Sequence, residues 1–337
     1  MYNKFIYFFI SFVLIQYCLI CFFDIRAQEI SKDSAESFHV EWIKNWSSSD
    51  NRQTQKKLKN RLNLILFGIK TPELIKPVSV FATNPDNFWV LDQGGKTLFK
   101  IKDGNGEIPR SIINSKYDLS SLVSICTTSA SNFLFTDSKS NKIYQFVVER
   151  KKIGVLNDSL KLEQPTGIAY LSAKKEIWVV ETNAHRISIL NERGELLKRI
   201  GIRGNAKGEF NFPTHIWIDK KGFVYINDAM NFRIQVLNSE GDVIAMFGKA
   251  GDASGFFGIS KGLATDSYGN IYIVDVLFHV VQVFDIKGNF LYSFGCQGHE
   301  NSQFWMPSGI YIDEQNYIYV SDTYNSRIQI FQLKHTK

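Results

Sequence analysis

Six acidic residues constrain how this chain can fold. Asp92, Asp137, Glu181, Asp228, Asp275 and Asp322 each close a short apolar run: NFWVLD, NFLFTD, IWVVE, VYIND, IYIVD and YIYVSD. They follow one another at intervals of 45, 44, 47, 47 and 47 residues. The clearest copy, residues 212–248, breaks into four runs at 215–219, 223–227, 233–237 and 243–248. Each run alternates and is rich in β-branched and aromatic residues, and each break carries Gly, Asn, Asp or Ser. Four strands per copy at this period is the pattern of a β-propeller. One four-stranded unit cannot bury both faces of its sheet, so six units must stack around an axis. The expected fold is all-β, a six-bladed β-propeller with four-stranded antiparallel blades.

The expected blades are 76–102 with an outer strand near 109–113, then 119–156, 164–201, 212–248, 259–295 and 306–331. The last has only three strands before the sequence ends at Lys337. Residues 62–68, LNLILFG, match the outer-strand texts LLKRIG, VIAMFG and FLYSFG. They are expected to supply the missing strand and close the ring from its N-terminal side, which removes an open sheet edge. The propeller would then span 62–337.

Residues 1–27 read as an export element. Lys4 precedes 19 nearly uninterrupted apolar residues, 5–23, and Ala27 stands at a plausible cleavage position. The run is long for a signal core. As a helix it would reach ~28 Å, close to the roughly 30 Å of a hydrocarbon core. Both a cleaved signal and a membrane anchor through 5–23 remain open, and either places the ring outside the cytoplasm: periplasmic, secreted or anchored. Bulky Tyr17 and Ile20 before Cys18 and Cys21 argue against a lipid-modified cysteine. Residues 28–61 carry no repeat. They hold a short amphipathic stretch at 36–46 and a basic run (Arg52, Lys56, Lys57, Lys59, Arg61), read as a solvated linker or a contact with anionic lipid or polysaccharide. Cys126 and Cys296 fall in blades two and five and are expected to be free. The net charge of +6 is too mild to argue for nucleic acid.

The phrases GEFNFPTHIWID…INDAMNFRIQVLN and SQFWMPSGIYID…VSDTYNSRIQIF resemble NHL repeats, which run roughly G-x-F-x-x-P-x-G-I-A-V-D…D-x-x-N-x-R-I-Q-V-F. The resemblance covers about 62–332. It is strong in blades three, four and six, clear in five, and weak in one and two. It implies a six-bladed propeller, and the N-terminal layout is similar to that of exported bacterial NHL proteins. It implies no activity by itself, because the fold carries enzymes, receptor domains and RNA-binding modules.

A feature that every blade repeats serves a need that every blade shares. The six acids are therefore read as acceptors for turn N–H groups, with Arg186, Arg233, Arg327 and Lys142 five residues on as partners. In amidating lyases and lactonase-like propellers, metal ligands come from the axial ends of inner strands. The aligned positions here are Ser79, Ser124, Gly167, His215, Gly262 and Gly309, preceded by Val78, Val123, Thr166, Thr214, Lys261 and Ser308. One His and one Lys do not make a metal set, so no metal or cofactor is expected. His215 is read as a hydrogen-bonded rim residue, and His185 and His279 as surface residues.

The expected function is an exported binding or scaffold module for a protein or extracellular ligand. The alternative is a lyase or hydrolase using His215 with Lys261 in the axial funnel. The candidate partner site lies where blades five and six meet, on the face of the second-to-third strand turns. There Leu277 and Phe278 replace small or polar residues, and Val280 stands where Arg233 and Arg327 stand in blades four and six. Phe256 and Phe257 lie in the preceding loop, and Trp305 is matched to Phe212 of blade four. Burial of these side chains against one another is the competing reading.

Overall fold

A computed structural model describes residues 37–48, 73–113 and 115–336. The chain forms six four-stranded antiparallel sheets arranged as the blades of a propeller. The first described strand, β1 (Ser37–Trp46), belongs to the last blade. Blade one holds β2 (Pro77–Asn84), β3 (Asn87–Asp92), β4 (Thr97–Lys102) and β5 (Asn105–Glu107), followed by a single helical turn at Arg110–Ile113. Blade two holds β6 (Leu122–Thr127), β7 (Phe133–Asp137), β8 (Lys142–Val147) and β9 (Lys152–Val155). Blade three holds β10 (Pro165–Leu171), β11 (Glu176–Glu181), β12 (Arg186–Asn191) and β13 (Leu196–Ile200). Blade four holds β14 (Pro213–Ile218), β15 (Val224–Asp228), β16 (Arg233–Leu237) and β17 (Val243–Phe247). Blade five holds β18 (Ser260–Thr265), β19 (Ile271–Asp275), β20 (Val280–Phe284) and β21 (Phe290–Phe294). Blade six holds β22 (Ile310–Ile312), β23 (Tyr317–Asp322) and β24 (Arg327–Thr336), with β1 outermost.

An N-terminal strand thus closes the ring, but it is not the expected one. β1 pairs with β24 from Ser37↔Thr336 to Trp46↔Ile328, with one bulge between Trp42 and Lys44. The stretch read as an amphipathic linker segment is therefore the outer strand of blade six, and residues 62–68 lie outside the described residues. So do the apolar run 5–23 and the basic run. β1 also ties blade six to blade one: the Trp46 indole donates to the Gly104 carbonyl at 3.0 Å, and its ring fills the space beside Gly106. The outer strand of blade one is Asn105–Glu107 rather than 109–113, where the chain instead turns helically.

Two devices explain why the repeat has its sequence. Gly201, Gly248 and Gly295 follow the outer strands with φ of 86°, 103° and 90°, a region that glycine enters without strain. A Cβ at each would lie within 2.4 Å of the ring of Phe210, Phe257 or Phe304. Those three rings are at most 1 % exposed, so each blade is plugged by the Phe of the loop that leaves it. At the axis the small residues are also required. A Cβ on Gly167 would stand 2.7 Å from the Ile216 nitrogen, one on Gly262 2.5 Å from the Ser308 carbonyl, and one on Gly309 2.4 Å from that of Val78.

Candidate binding sites

The six repeated carboxylates are all fully buried, and each is saturated by its own blade. Asp228 accepts the Asn211 N–H at 2.6 Å, the Asn231 amide at 2.9 Å, Arg233 Nε at 2.7 Å and the Gln235 amide at 3.0 Å. Asp322 repeats this with Trp305, Asn325, Arg327 and Gln329. The arginines continue into the preceding loop: Arg233 donates to the carbonyls of Asn205, Ala206 and Glu209, and Arg327 to those of His299, Glu300 and Gln303. Burial pushes the Glu181 carboxyl up. Hydrogen bonds from Arg186, Ser188 and the Glu163 N–H outweigh it and hold the group below its usual range. The acids are framework, as their repetition implies. The Gln two residues after the arginine is an equal partner: Gln235 and Gln329 pin the same loops from the other side. Its recurrence in R-I-Q was the available signal.

Blade five, like blades one and two, has no arginine at this position. Val280 takes the place of the arginine, and Asp275 is held by four backbone N–H groups, from Gly258, Ile259, Leu277 and Phe278. Gln282 alone pins the loop, through Gly255 N–H and the Phe256 carbonyl.

His185 and His279 are not the surface residues expected. His185 is buried, and its Nδ1 accepts the Phe212 N–H of the next blade at 3.1 Å. His279 Nδ1 likewise accepts the Met306 N–H at 3.0 Å. Both sit in the left-handed region, at φ 52° and 57°. Each imidazole pins one blade to the next by accepting through Nδ1. Burial, partly opposed by Asp322 and Asp275, holds His279 below the usual range.

These bonds also correct an alignment. Phe212 and Met306 make the same contact, and Trp305 matches Asn211, since both donate to the blade's acid. Trp305 is half-buried, stacked on His299 at 4.9 Å and 11°. Phe257 is core. Phe256 is half-buried with Lys249 Nζ 4.3 Å over its ring. Phe278 and Val280 are half-buried, and Leu277 is 54 % exposed.

Leu277 is one of a series. Ile259, Leu277, Met306, Tyr324 and Ile75, on blades five, six and one, are each 36–57 % exposed on the same face. They follow one another around that face as an arc, linked through neighbouring groups. Val276 donates to the Ile259 carbonyl, Met306 to His279, and Tyr324 to the Trp305 carbonyl. Lys76 Nζ lies 5.2 Å over the Tyr324 ring, and Ser326 donates to the Ile75 carbonyl. Met230 occupies the matching turn of blade four. At the same turn blades two and three carry Lys139 and Asn183.

His215 and Lys261 belong to the inner strands of neighbouring blades, four and five. His215 lines a cavity of about 200 Å³ with Ser79, Ser124, Trp217 and Tyr311. Lys261 does not line it; it stands exposed at the start of its inner strand. Protein crowding, and then the like charge of Lys76, lower the Lys261 ammonium. The rim reading of His215 fails in one respect: its imidazole has no hydrogen-bond partner among the described residues. Burial lowers it to about 4. Cys126 also lines the cavity, and burial pushes its thiol far above the usual range, so it is not a nucleophile at neutral pH. Neither Cys126 nor Cys296 is in a disulfide among the described residues. No group of three or more His, Cys, Asp or Glu able to hold a metal occurs among the described residues.

Comparison with known proteins agrees with this architecture. Residues 304–331 match the NHL repeat, and residues 157–241 match a family described as a 6-bladed beta-propeller. No curated protein sequence matches the chain. Among solved structures, a protein of unknown function from Bacteroides thetaiotaomicron superposes with a TM-score of 0.62 at 12 % identity, covering 91 % of this chain and 80 % of that one. An auxiliary nutrient binding protein from the same organism gives 0.60 at 15 %, covering 77 % and 69 %. Virginiamycin B lyase from Staphylococcus aureus gives 0.57 at 14 %, covering 88 % and 100 %. At these identities the likeness is one of fold.

Proposed function

For a chain that is a six-bladed β-propeller carrying NHL repeats, we propose the function of an exported binding module that engages a protein partner through the face of its second-to-third strand turns. The observation that carries this reading is the arc Ile259–Leu277–Met306–Tyr324–Ile75. Large apolar side chains stand partly exposed over adjacent blades there, while the same turns of blades two and three are polar. A series of exposed apolar side chains on one face suits a partner contact. The repeated acids are consumed by the framework, and Lys261 is absent from the lining of the cavity that holds His215, which favours a binding role over a lyase or hydrolase using the two together. Nutrient-binding proteins among the relatives in fold are in keeping with a binding role.

Export rests on the apolar run 5–23. N-terminal sequencing of the protein recovered from fractionated cells distinguishes a chain starting at Gln28, a cleaved signal, from an intact anchor. Recovery in the cytoplasmic fraction refutes export.

The binding reading is tested with Leu277→Ser combined with Met306→Ser. The double variant is expected to keep the wild-type melting temperature and to lose co-purification of a stoichiometric partner from the native source. Retention of that partner by the folded variant refutes the assigned face.

A further inference from the structure

His215 is an exception to a steric rule. At the equivalent register the other blades carry Ser79, Ser124, Gly167, Gly262 and Gly309, and the three glycines have no room for a Cβ against the next inner strand. At blade four the register partner of His215 spans the seam to blade five. Asn227 reaches across, donating to the carbonyls of Ser260 at 2.8 Å and Lys261 at 3.2 Å, and accepts the Ser260 hydroxyl at 2.8 Å. A bulky side chain stands where the other blades carry Ser or Gly, and it makes no hydrogen bond among the described residues.

The space it lines is not generic. The cavity is lined by the middle and downstream parts of the inner strands, away from the strand starts that border the apolar arc. Phe81, Trp217 and Tyr311 form an aromatic wall: Phe81 and Trp217 stand 5.1 and 5.6 Å from the Tyr311 ring. All three are only half-buried. The Trp217 indole N–H is taken by Thr265 at 2.9 Å. The Tyr311 hydroxyl, like the His215 ring, has no partner among the described residues. No Asp, Glu, Lys or Arg lines the cavity.

We infer that this cavity is a binding site for a small uncharged aromatic alcohol, whose ring packs against Phe81, Trp217 and Tyr311 and whose hydroxyl bonds to His215 and Tyr311. Aromatic walls favour a planar apolar body through offset and edge-to-face contacts. Two free polar tips suit one hydroxyl, which both donates and accepts. A neutral imidazole supplies one donor and one acceptor, and burial keeps His215 in that form at neutral pH. A charged ligand would be desolvated with no counter-charge. The volume of about 200 Å³ is below the roughly 300 Å³ where drug-sized pockets begin.

The test is calorimetric titration of the full-length protein with p-cresol, toluene, 4-hydroxybenzoate and D-glucose. Saturable p-cresol binding is expected, with the other three at least about tenfold weaker. Tyr311→Phe keeps the ring and removes the hydroxyl. It should weaken p-cresol by roughly three- to tenfold and leave toluene unchanged. His215→Ser installs the residue of blades one and two and should weaken p-cresol similarly. No saturable p-cresol binding overturns the inference, as does wild-type affinity in both folded variants. Tighter binding of glucose or 4-hydroxybenzoate overturns the ligand class. The site is remote from the apolar arc, so neither result bears on the partner reading.

Discussion

Asp228 shows what a repeated residue does for its blade. It joins the end of β15 to the loop before β14 through four donors, and its removal strands a largely buried Arg233. Asp228→Ala is expected to cost about 3–5 kcal/mol, the range for breaking a buried ion pair by removing one partner. Asp275→Ala should cost less, about 1–3 kcal/mol, because only backbone N–H groups lose an acceptor and no cation is left alone. Urea denaturation of the two variants gives the comparison, and equal costs would contradict it. His215 adds a pH dependence. Its folded pKa of about 4 lies below the ordinary value near 6.5, so the unfolded chain binds the proton more tightly. The contribution is fully present above about pH 6.5 and is lost as pH falls through about 4, up to ~3 kcal/mol. His279, also lowered, acts with the same sign. His215→Ser should flatten the difference in stability between pH 7 and pH 4.5.

At the scale of the element, the sequence states strands well and pairings poorly. The inner three strands of every blade were legible because alternation and the terminal acid mark them. The closing strand was not. Residues 62–68 end in Gly like three genuine outer strands, whereas Ser37–Trp46 carries Glu41, Lys44 and Asn45 and no such Gly. Charges on an outermost strand protect its open edge, so the correct strand looks least like a strand. Local pattern also could not show that His185 and His279 reach the next blade, since that depends on a left-handed turn seen only in the backbone. Of the candidate site, Leu277 was legible as a departure from the repeat. Phe257 was misread because it obeys the repeat: it is the blade's plug. The pairing gives a prediction opposite to one based on 62–68. A chain starting at Ser34 should melt cooperatively near the wild-type temperature. One starting at Asn51 should melt much lower or aggregate through the bared edge of β24. Equal melting of the two would refute the role of β1.

Over the whole molecule, the two ends of the axis differ in character. One end carries an apolar arc over blades five, six and one, with the cations Lys76 and Lys261 at its mouth. The other holds an uncharged aromatic cavity. The repeat, being nearly symmetric, contributes the ring; the departures from symmetry (Val280 for Arg, His215 for Ser or Gly, Leu277 for a polar residue) mark where the two ends differ. The closure by β1 has a consequence in time. Trp42 and its partner Gln329 are 287 residues apart. At a synthesis rate of about 5–20 residues/s, roughly 15–60 s separate their appearance at the ribosome. Throughout that interval the β1 segment lacks its partner, and until β24 emerges the ring cannot close. Any factor that shelters this segment on the nascent chain would therefore decide how much protein reaches the closed ring, with no change in the stability of the finished fold.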